Sequence, residues 1–279
     1  MSTAARYRPA RVAAASSPRA RHFLYVVAAL ARTEFKLRYA GSVLGYLWTL
    51  LRPLMLFGIL YTVFTQVFRF GGGIPHYPVM LLMAIILFSF FADATNGALQ
   101  SLVQRDNLLR KVAFPRAAIP VAVSLTAAAN LLLGLVVVFS VAIIDGVEVR
   151  TEWLAFAPIL AVILGLATAV SLLLAVLYVR YRDVQPMWEV ILQLLFWGTP
   201  IIYTIETVPE RVREVLMLNP LAVAIQQVRH SVIDVRAPSA ADAIGRPLLL
   251  LVPALITLGV AALSLFTFSR LAPTVAEDL

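Results

Sequence analysis

Two stripes of polar side chains interrupt apolar stretches of this sequence, and their residue types and spacing could do chemistry. Asp93, Asn96, Gln100 and Gln104 make up the first stripe, and Gln185, Glu189 and Gln193 make up the second. A spacing of three or four residues places each stripe on one face of a helix. An ionisable group inside a long apolar segment is costly and usually faces protein or water. Both stripes are therefore candidates for a polar passage.

Each stripe has a second interpretation. The first could line a pore or a gate, or it could be a helix end that emerges into the cytoplasm, where polar residues are expected. The second lies near Trp188, Phe196 and Trp197. It could be a polar and aromatic conduit wall, or interface residues beside an aromatic belt. Glu189 could also pair with a neighbouring arginine.

Basic residues could bind a lipid or a partner at two places. Arg52 precedes Pro53 inside an apolar segment. Its side chain could snorkel to the interface or bind a lipid phosphate, because guanidinium suits phosphate geometry. The second place is a charged, helix-compatible stretch bounded by Phe114-Pro115, and it consists of Gln104, Arg105, Asp106, Asn107, Leu108, Leu109, Arg110 and Lys111. This stretch could dock a partner, or it could be a solvated basic loop.

Catalytic and cofactor motifs are missing from the sequence. The chain has no cysteine, which excludes disulfides, thiolate metal sites and cysteine nucleophiles. His22, His76 and His230 show no metal-ligand spacing, and no paired-carboxylate or His/Asp cluster indicates acid–base catalysis. The only two lysines follow Phe35 and Arg110, so a Gly-Lys phosphate-binding loop cannot occur. We predict no enzyme activity, metal or cofactor on this chain, and ATP use would require another chain.

Membrane-spanning helices must position the two stripes. Apolar residues make up 61% of the 279 residues and charged residues 14%, whereas soluble domains carry about 25% charged residues. Six apolar segments exceed the roughly 18 residues that a span requires, and they lack the alternation of barrel strands. They cover about 43–68, 77–100, 117–144, 153–179, 184–204 and 247–269. The predicted fold class is an all-α integral membrane protein with six transmembrane helices in one domain, residues 22–270.

The flanking segments are more polar. Residues 1–21 are rich in Ala, Arg, Ser and Pro and predict a disordered basic tail, and residues 271–279 predict a second tail. Residues 22–40 predict an amphipathic helix that lies in the membrane interface or extends the first span. In the loop between spans five and six, residues 206–233 predict two short helices separated at Asn219-Pro220. Neither helix is long enough to cross a membrane, so we predict that both are re-entrant or interfacial.

The distribution of Lys and Arg predicts the orientation. The net charge is +8. Basic residues concentrate before the first span, between spans two and three and after span four, which lie on one side of the membrane. The positive-inside rule then puts both termini in the cytoplasm. Because anionic lipid accounts for the basic charge, we expect no nucleic-acid partner.

Several short motifs occur in the order found in permeases that export polysaccharides through ABC transporters. They are Arg38-Tyr39-Ala40-Gly41-Ser42-Val43-Leu44-Gly45-Tyr46-Leu47-Trp48, Arg52-Pro53, Arg110-Lys111-Val112-Ala113-Phe114-Pro115, Tyr181-Arg182-Asp183, Pro200-Ile201-Ile202-Tyr203 and Leu218-Asn219-Pro220-Leu221. Each is weak alone. Together they span roughly residues 25–270, and the chain resembles that family, although the motifs do not identify a substrate.

The resemblance implies a six-helix half-transporter that pairs with a second copy of itself and with two ATPase subunits, which bind ATP and Mg. Such families export O-antigen, teichoic acid, capsule or galactan chains on a polyprenyl diphosphate lipid across the bacterial plasma membrane. By similarity, residues 22–40 match an interfacial helix, residues 101–111 match the helix that couples to the ATPase, and residues 206–233 match outer gate helices.

A sugar polymer needs a wide path that binds weakly at many points. Aromatic faces stack on sugars, and amide and carboxylate groups exchange hydrogen bonds with hydroxyls. The expected substrate-path residues are Tyr46, Trp48, Tyr61, Trp188, Glu189, Gln193, Trp197 and Tyr203, and Arg38 or Arg52 could hold the lipid diphosphate. The competing hypotheses are an ABC exporter of small lipids or drugs, a membrane-embedded enzyme that acts on lipid-linked sugars, and a structural scaffold.

Overall fold

The computed structural model describes residues 19–39, 45–70, 73–106 and 115–272. Within these residues every regular element is helical, as predicted. The α-helices are α1 (Arg19–Tyr39), α2 (Gly45–Thr62), α3 (Tyr77–Leu99), α4 (Ala118–Ile144), α5 (Phe156–Arg180), α6 (Val184–Trp197), α7 (Glu210–Leu216), α8 (Pro220–Val228), α9 (Ala240–Ile244) and α10 (Leu251–Leu271). Turns of π-helix extend α2 over Val63–Val67 and α8 over Arg229–Ile233. Turns of 3-10 helix lie at Val103–Arg105, Thr151–Ala155, Ile205–Thr207 and Pro247–Leu250.

Five helical segments of the described residues are long and apolar enough to cross a membrane. They are Leu47–Val67, Tyr77–Leu99, Ala118–Ile144, Thr151–Arg180 and Leu248–Leu271. They coincide with five of the six predicted spans and confirm a multi-pass membrane protein. The basic tail predicted over residues 1–21 and the tail over 271–279 lie almost wholly outside the described residues.

The predicted fifth span, residues 184–204, differs from the structure in length. Its helix, α6, ends at Trp197 after 14 residues and is about 21 Å long, shorter than the roughly 30 Å hydrocarbon core. Gly198 allows the chain to turn, because a Cβ there would lie only 3.0 Å from the Leu194 carbonyl oxygen. Pro200 then offers no backbone N–H to continue a helix. The apolar run continues through these residues, but the helix does not.

Helix α3 occupies the centre of the bundle because it is apolar around most of its circumference. Most of its side chains between Tyr77 and Leu99 are buried, and it packs against α2, α4, α5 and α6. The closest approach is to α4 at Gly134, where a Cβ would lie 2.9 Å from Cγ2 of Ile86. A side chain at this position would therefore push α4 away from α3.

Contacts between loops define the two ends of the bundle. At one end, Nδ1 of His76 lies 2.7 Å from Oδ2 of Asp145, and the Tyr77 hydroxyl donates to the Ile202 carbonyl. At the other end, Leu102 packs with Phe268 near the end of α10. Helix α1 also packs at this second end, through Val27 and Ala31 against Ala118 and Ala122 at the start of α4. The first and last described helices therefore meet at one end.

The segment between α6 and α10 contains the two predicted short helices, α7 and α8. Asn219 caps α8: its side-chain oxygen accepts from the Leu221 N–H, and its amide nitrogen donates to the Thr199 hydroxyl, both at 3.0 Å. Pro220 then starts the helix where no N–H is required. Helix α8 packs against α5 and α10, and Arg229 just beyond it forms a 2.8 Å ion pair with Glu206.

Candidate functional site

A cavity of about 890 Å³ lies between α2, α3, α4 and α6. The walls combine charged, amide, hydroxyl and aromatic groups, and the lining residues are Trp48, Thr49, Arg52, Pro53, Leu56, Phe88, Ser89, Ala92, Asp93, Asn96, Gly97, Asn130 and Phe196. All except Phe196 belong to segments that are long and apolar enough to cross a membrane. The cavity is therefore a polar space at membrane depth.

The polar groups of the cavity come from three helices. Arg52 projects from α2, Asp93 and Asn96 from α3, and Asn130 from α4. Arg52, Asp93 and Asn96 are exposed to the cavity. A cation and a carboxylate at this depth are costly unless they meet water, each other or a polar ligand. The arrangement offers hydrogen-bond donors and acceptors to a polar or anionic ligand.

Just beyond the end of α3 at Leu99, the next two residues of the stripe, Gln100 and Gln104, take part in a chain of hydrogen bonds to α6. Gln104 Nε2 donates to Gln100 Oε1 at 3.1 Å. Gln100 Nε2 donates to Gln185 Oε1 on α6 at 2.8 Å, and Gln185 Nε2 donates to Glu189 Oε1 at 3.2 Å. An ionised carboxylate only accepts, so the three amides point the same way along this chain. We call Gln104, Gln100, Gln185 and Glu189 the amide relay.

Helix α6 is fixed to α3 by a second contact one turn from the relay. The Trp188 indole nitrogen donates to the Thr95 hydroxyl at 3.0 Å, and the Trp188 ring lies 6.2 Å from the Phe91 ring. Trp188 is only 8% exposed. The relay and this tryptophan together hold the buried face of α6 against the second half of α3 and the residue that follows it.

The first described residues after α3 connect it to α1. Arg105 forms an ion pair with Glu34 of α1, and burial lowers the pKa of the Arg105 guanidinium. Arginine nevertheless remains charged at neutral pH. Gln104 and Arg105 thus join the start of the predicted partner-docking stretch to two neighbouring helices, α6 through the relay and α1 through the ion pair.

The chain matches the family model described as "ABC-2 type transporter" over residues 25–233. It belongs to the ABC-2 type transporter family. Among curated proteins it is similar to an O-antigen export system permease protein RfbA of Myxococcus xanthus, at 29% identity over 86% of this chain and 91% of the relative. It is also similar to an O-antigen export system permease protein RfbA of Klebsiella pneumoniae, at 29% identity over 71% of this chain and 76% of the relative.

Within this ABC-2 transporter chain, the predicted substrate-path residues lie in different places. Trp48 lines the cavity and is 54% exposed. Tyr61 lies in a separate cleft of about 270 Å³ with Arg69 and His76. Trp188 is buried in the α3–α6 contact and away from the cavity lining, so its place in the structure is a packing position.

The remaining path residues follow α6 and its end. Glu189 ends the amide relay, and Gln193 is exposed on the same helix. Trp197 is 56% exposed, and the Tyr203 hydroxyl donates to the Trp197 carbonyl at 3.0 Å. Glu189 and Gln193 lie within α6, Trp197 is its last residue and Tyr203 lies beyond it, and none of the four lines the cavity. The Tyr46 side chain lies outside the described part of the structure.

The predicted lipid-diphosphate and partner-docking residues are described only in part. Arg52 lines the cavity, whereas the Arg38 side chain falls outside the described part. Of the docking stretch, Gln104, Arg105 and Asp106 are described and residues 107–111 are not. Among the described residues, no group of three His, Cys, Asp or Glu side chains could hold a metal ion.

Asn130 and Thr95 are site residues that the sequence interpretation missed. Asn130 contributes the α4 wall of the cavity, and Thr95 accepts the Trp188 hydrogen bond. The available signal for Asn130 was a lone amide within a long apolar span, since polar residues at such positions usually face protein or a cavity. Thr95 carries no such signal, because a threonine hydroxyl can donate its hydrogen bond to a backbone carbonyl of its own helix, as Thr95 does to Phe91.

Proposed function

We propose that this chain is the membrane permease subunit of an ABC exporter that moves a lipid-linked polysaccharide, or a polymer like teichoic acid, out of the cytoplasm. The polymer would be carried on a polyprenyl diphosphate. The observation that supports this proposal is the polar and aromatic cavity at membrane depth in an ABC-2 chain that is similar to O-antigen export permeases. Sugar hydroxyls suit its amide and carboxylate groups, and Arg52 suits a phosphate.

The working transporter would contain two copies of this chain and two ATPase subunits. Helix α2 supports the pairing of copies, since only 6% of its spanning window is buried within one chain, against 78% for α3. Five of the cavity's lining residues belong to α2: Trp48, Thr49, Arg52, Pro53 and Leu56. A second copy facing α2 would close the path for a polymer. In that assembly we place the termini in the cytoplasm, with α6 and the following turn as a sixth crossing and α7 and α8 as outer re-entrant helices.

The conformational change that accompanies ATP hydrolysis would be transmitted to the cavity through the amide relay. The stretch from Gln104 to Lys111 would dock the ATPase. Gln104 begins the relay, which ends on Glu189 of α6. A displacement of the docked stretch would therefore pull on α6, whose Phe196 contributes to the cavity wall. The ATP and Mg belong to the ATPase subunit, and this chain supplies the path.

Deletion of the gene in its own host tests the proposed function. We expect surface polysaccharide to disappear and lipid-linked polymer to accumulate inside, and the wild-type gene to restore export. A variant with both Leu108→Asp and Leu109→Asp should reach the membrane but neither co-purify with an ATPase nor restore export. Normal surface polysaccharide in the deletion strain would contradict the proposal.

An exporter of small lipids or drugs is the alternative function. The cavity volume of about 890 Å³ lies within the roughly 300–1,000 Å³ range of small-molecule sites. If the deletion strain becomes sensitive to a drug while its surface polysaccharide is unchanged, the small-molecule alternative replaces the polymer.

A further inference from the structure

A second cavity lies on the other side of α4 and is almost wholly apolar. It is a groove of about 490 Å³ between α1, α4 and α5. Ala31 and Phe35 form the α1 wall, Leu125 and Leu132 the α4 wall, and Leu164 part of the α5 wall. Leu125 and Leu132 are 48% and 60% exposed, so the other helices of this chain leave the groove uncovered.

The groove has one charged lining residue, Arg32 of α1. Arg32 is exposed, and Lys36 lies four residues further on and is also exposed, which puts both cations on the same edge of α1. Glu34 lies on the opposite side of the helix, where it pairs with Arg105. The groove therefore combines apolar walls with positive charge at its edge. These features are complementary to a lipid that has an apolar acyl chain and an anionic head group.

The groove is separate from the polar cavity. The two share no lining residue: on α4, Ala129 lines the groove and the next residue, Asn130, lines the polar cavity. Successive residues of an α-helix point about 100° apart. A ligand of the groove thus contacts a different side of the bundle from any ligand of the cavity.

We propose that the α1–α4–α5 groove binds one anionic phospholipid, with an acyl chain along α4 and its phosphate at Arg32. The volume is in the range of a single small ligand, and the flanking helices α4 and α5 belong to segments that are long and apolar enough to cross a membrane, so their exposed apolar faces would meet lipid. A single guanidinium matches a single phosphate, and it binds phosphate oxygens in a bidentate manner. The choice of a phospholipid over the polyprenyl carrier rests on the separation of the groove from the polar cavity.

The bound lipid would hold α1 against α4. Within the chain, α1 packs on α4 through Val27 and Ala31 against Ala118 and Ala122, with Phe23, Val26, Leu30 and Val121 beside them. The same helix carries Glu34, the partner of Arg105 at the start of the docking stretch. Through α1, the lipid composition of the membrane would therefore influence the position of the docking stretch.

Lipid retention by the purified chain tests this proposal without any transport assay. The chain is delipidated in detergent, mixed with phosphatidylglycerol or phosphatidylcholine, and examined by native mass spectrometry. We expect one phosphatidylglycerol per chain, bound in preference to phosphatidylcholine. Arg32→Gln should weaken phosphatidylglycerol binding roughly five-fold, since one cation near anionic lipid contributes about that factor. Ala129→Trp should fill the groove and abolish retention of both lipids.

Arg21→Gln is the matched control. It removes the same charge from the same helix, 11 residues before Arg32 and outside the groove, so phosphatidylglycerol binding should not change. Arg32→Gln alters an exposed side chain and should leave the melting temperature of the delipidated chain unchanged, which separates binding from folding. Equal phosphatidylglycerol binding by wild type and Arg32→Gln would overturn the proposal. So would tighter binding of polyprenyl diphosphate than of phosphatidylglycerol when it is added to the delipidated chain, or loss of a dimer in Ala129→Trp.

Discussion

The polar stripe has two halves with different surroundings: Asp93 and Asn96 lie within α3, whereas Gln100 and Gln104 lie just beyond its last residue, Leu99. Asp93 and Asn96 face the open cavity between α2, α3 and α4. Gln100 and Gln104, one and two turns later, are hydrogen-bonded in the relay to α6. The difference lies in the neighbouring helix: α6 brings Gln185 within 2.8 Å of Gln100, whereas Asp93 lines a cavity together with Arg52 of α2. Under the proposed function, Asp93 and Asn96 would meet a ligand, and Gln100 and Gln104 would transmit a movement.

The largest expected effect is at the open half. Arg52→Glu should reduce export about ten-fold or more, because a carboxylate would replace the cation that we propose binds the phosphate, and charge-assisted hydrogen bonds contribute about 1.5–3 kcal/mol. The measurement is surface polysaccharide in a complemented deletion strain, at matched membrane levels of protein. Arg52→Lys keeps the charge and should retain part of the activity. Unchanged export by Arg52→Glu would remove Arg52 from the path.

Variants that break the hydrogen bonds of Gln100 should reduce export more than they reduce ATP hydrolysis. Gln185→Leu removes the middle of the relay and leaves Gln100 and Glu189 on separate helices. We expect export per ATP hydrolysed to fall several-fold in proteoliposomes of the assembled transporter, while hydrolysis continues. Gln100→Leu should lower export per ATP hydrolysed to the same extent. The double variant should be no worse than either single variant, because both substitutions remove the same contact.

The ratio of transport to hydrolysis is the informative quantity for the relay. A purely structural role would lower both rates together through loss of assembled protein. Additive effects of Gln100→Leu and Gln185→Leu would show that the two amides act independently, and the relay would then carry no coupling.

Variants at the contact between α3 and α4 should lower the stability of the protein and not its transport activity directly. Gly134→Leu places a side chain against Ile86, where even a Cβ would lie 2.9 Å from Cγ2. We expect a loss of about 1–3 kcal/mol in stability, as for other overpacked cores, measured as a lower melting temperature in detergent. Gly165→Leu is the control, since nothing lies within 4 Å of a Cβ built there. Equal melting temperatures for the two variants would refute the close packing of α4 on α3.

The smallest expected effect distinguishes two tryptophans. Trp188→Phe removes the hydrogen bond to Thr95 and should cost about 1 kcal/mol of stability. Trp48→Phe alters a half-exposed side chain of the cavity wall and should leave stability unchanged while it weakens export. Thermal unfolding and export assays on both variants test the assignment. If Trp48→Phe were the one to lower the melting temperature, the assignment of the two residues would be reversed.

The composition of the chain was sufficient to predict five membrane-spanning helices, because 20 or more consecutive apolar residues have few other stable settings. The two short helices α7 and α8 were also predictable, since Asn219-Pro220 is a helix stop and start in one motif. The end of α6 was not. Residues 198–204 remain apolar, and only a close backbone approach at Gly198 and the missing donor of Pro200 end the helix at Trp197.

The candidate site was predicted less completely than the fold. The spacing of Asp93 and Asn96 indicated a shared face, and Arg52 was recognised as a cation inside a span. The sequence contains no information on which face of α3 meets α6, so Gln100–Gln185 pairing could not be foreseen. For the same reason Trp48 and Trp188 were indistinguishable as residue types, although one lines the cavity and the other is buried against Thr95.

The sequence by itself determined the class of this protein: an all-helical, multi-pass membrane chain with charge only at sparse positions, because transfer of apolar side chains and backbone groups into lipid depends on composition and length. Only the tertiary structure decided which polar residues meet. Helices rotate and shift against each other according to the shape of all their contacts, such as Gly134 beside Ile86. That packing placed Arg52, Asp93 and Asn130 around one cavity and Gln100 against Gln185.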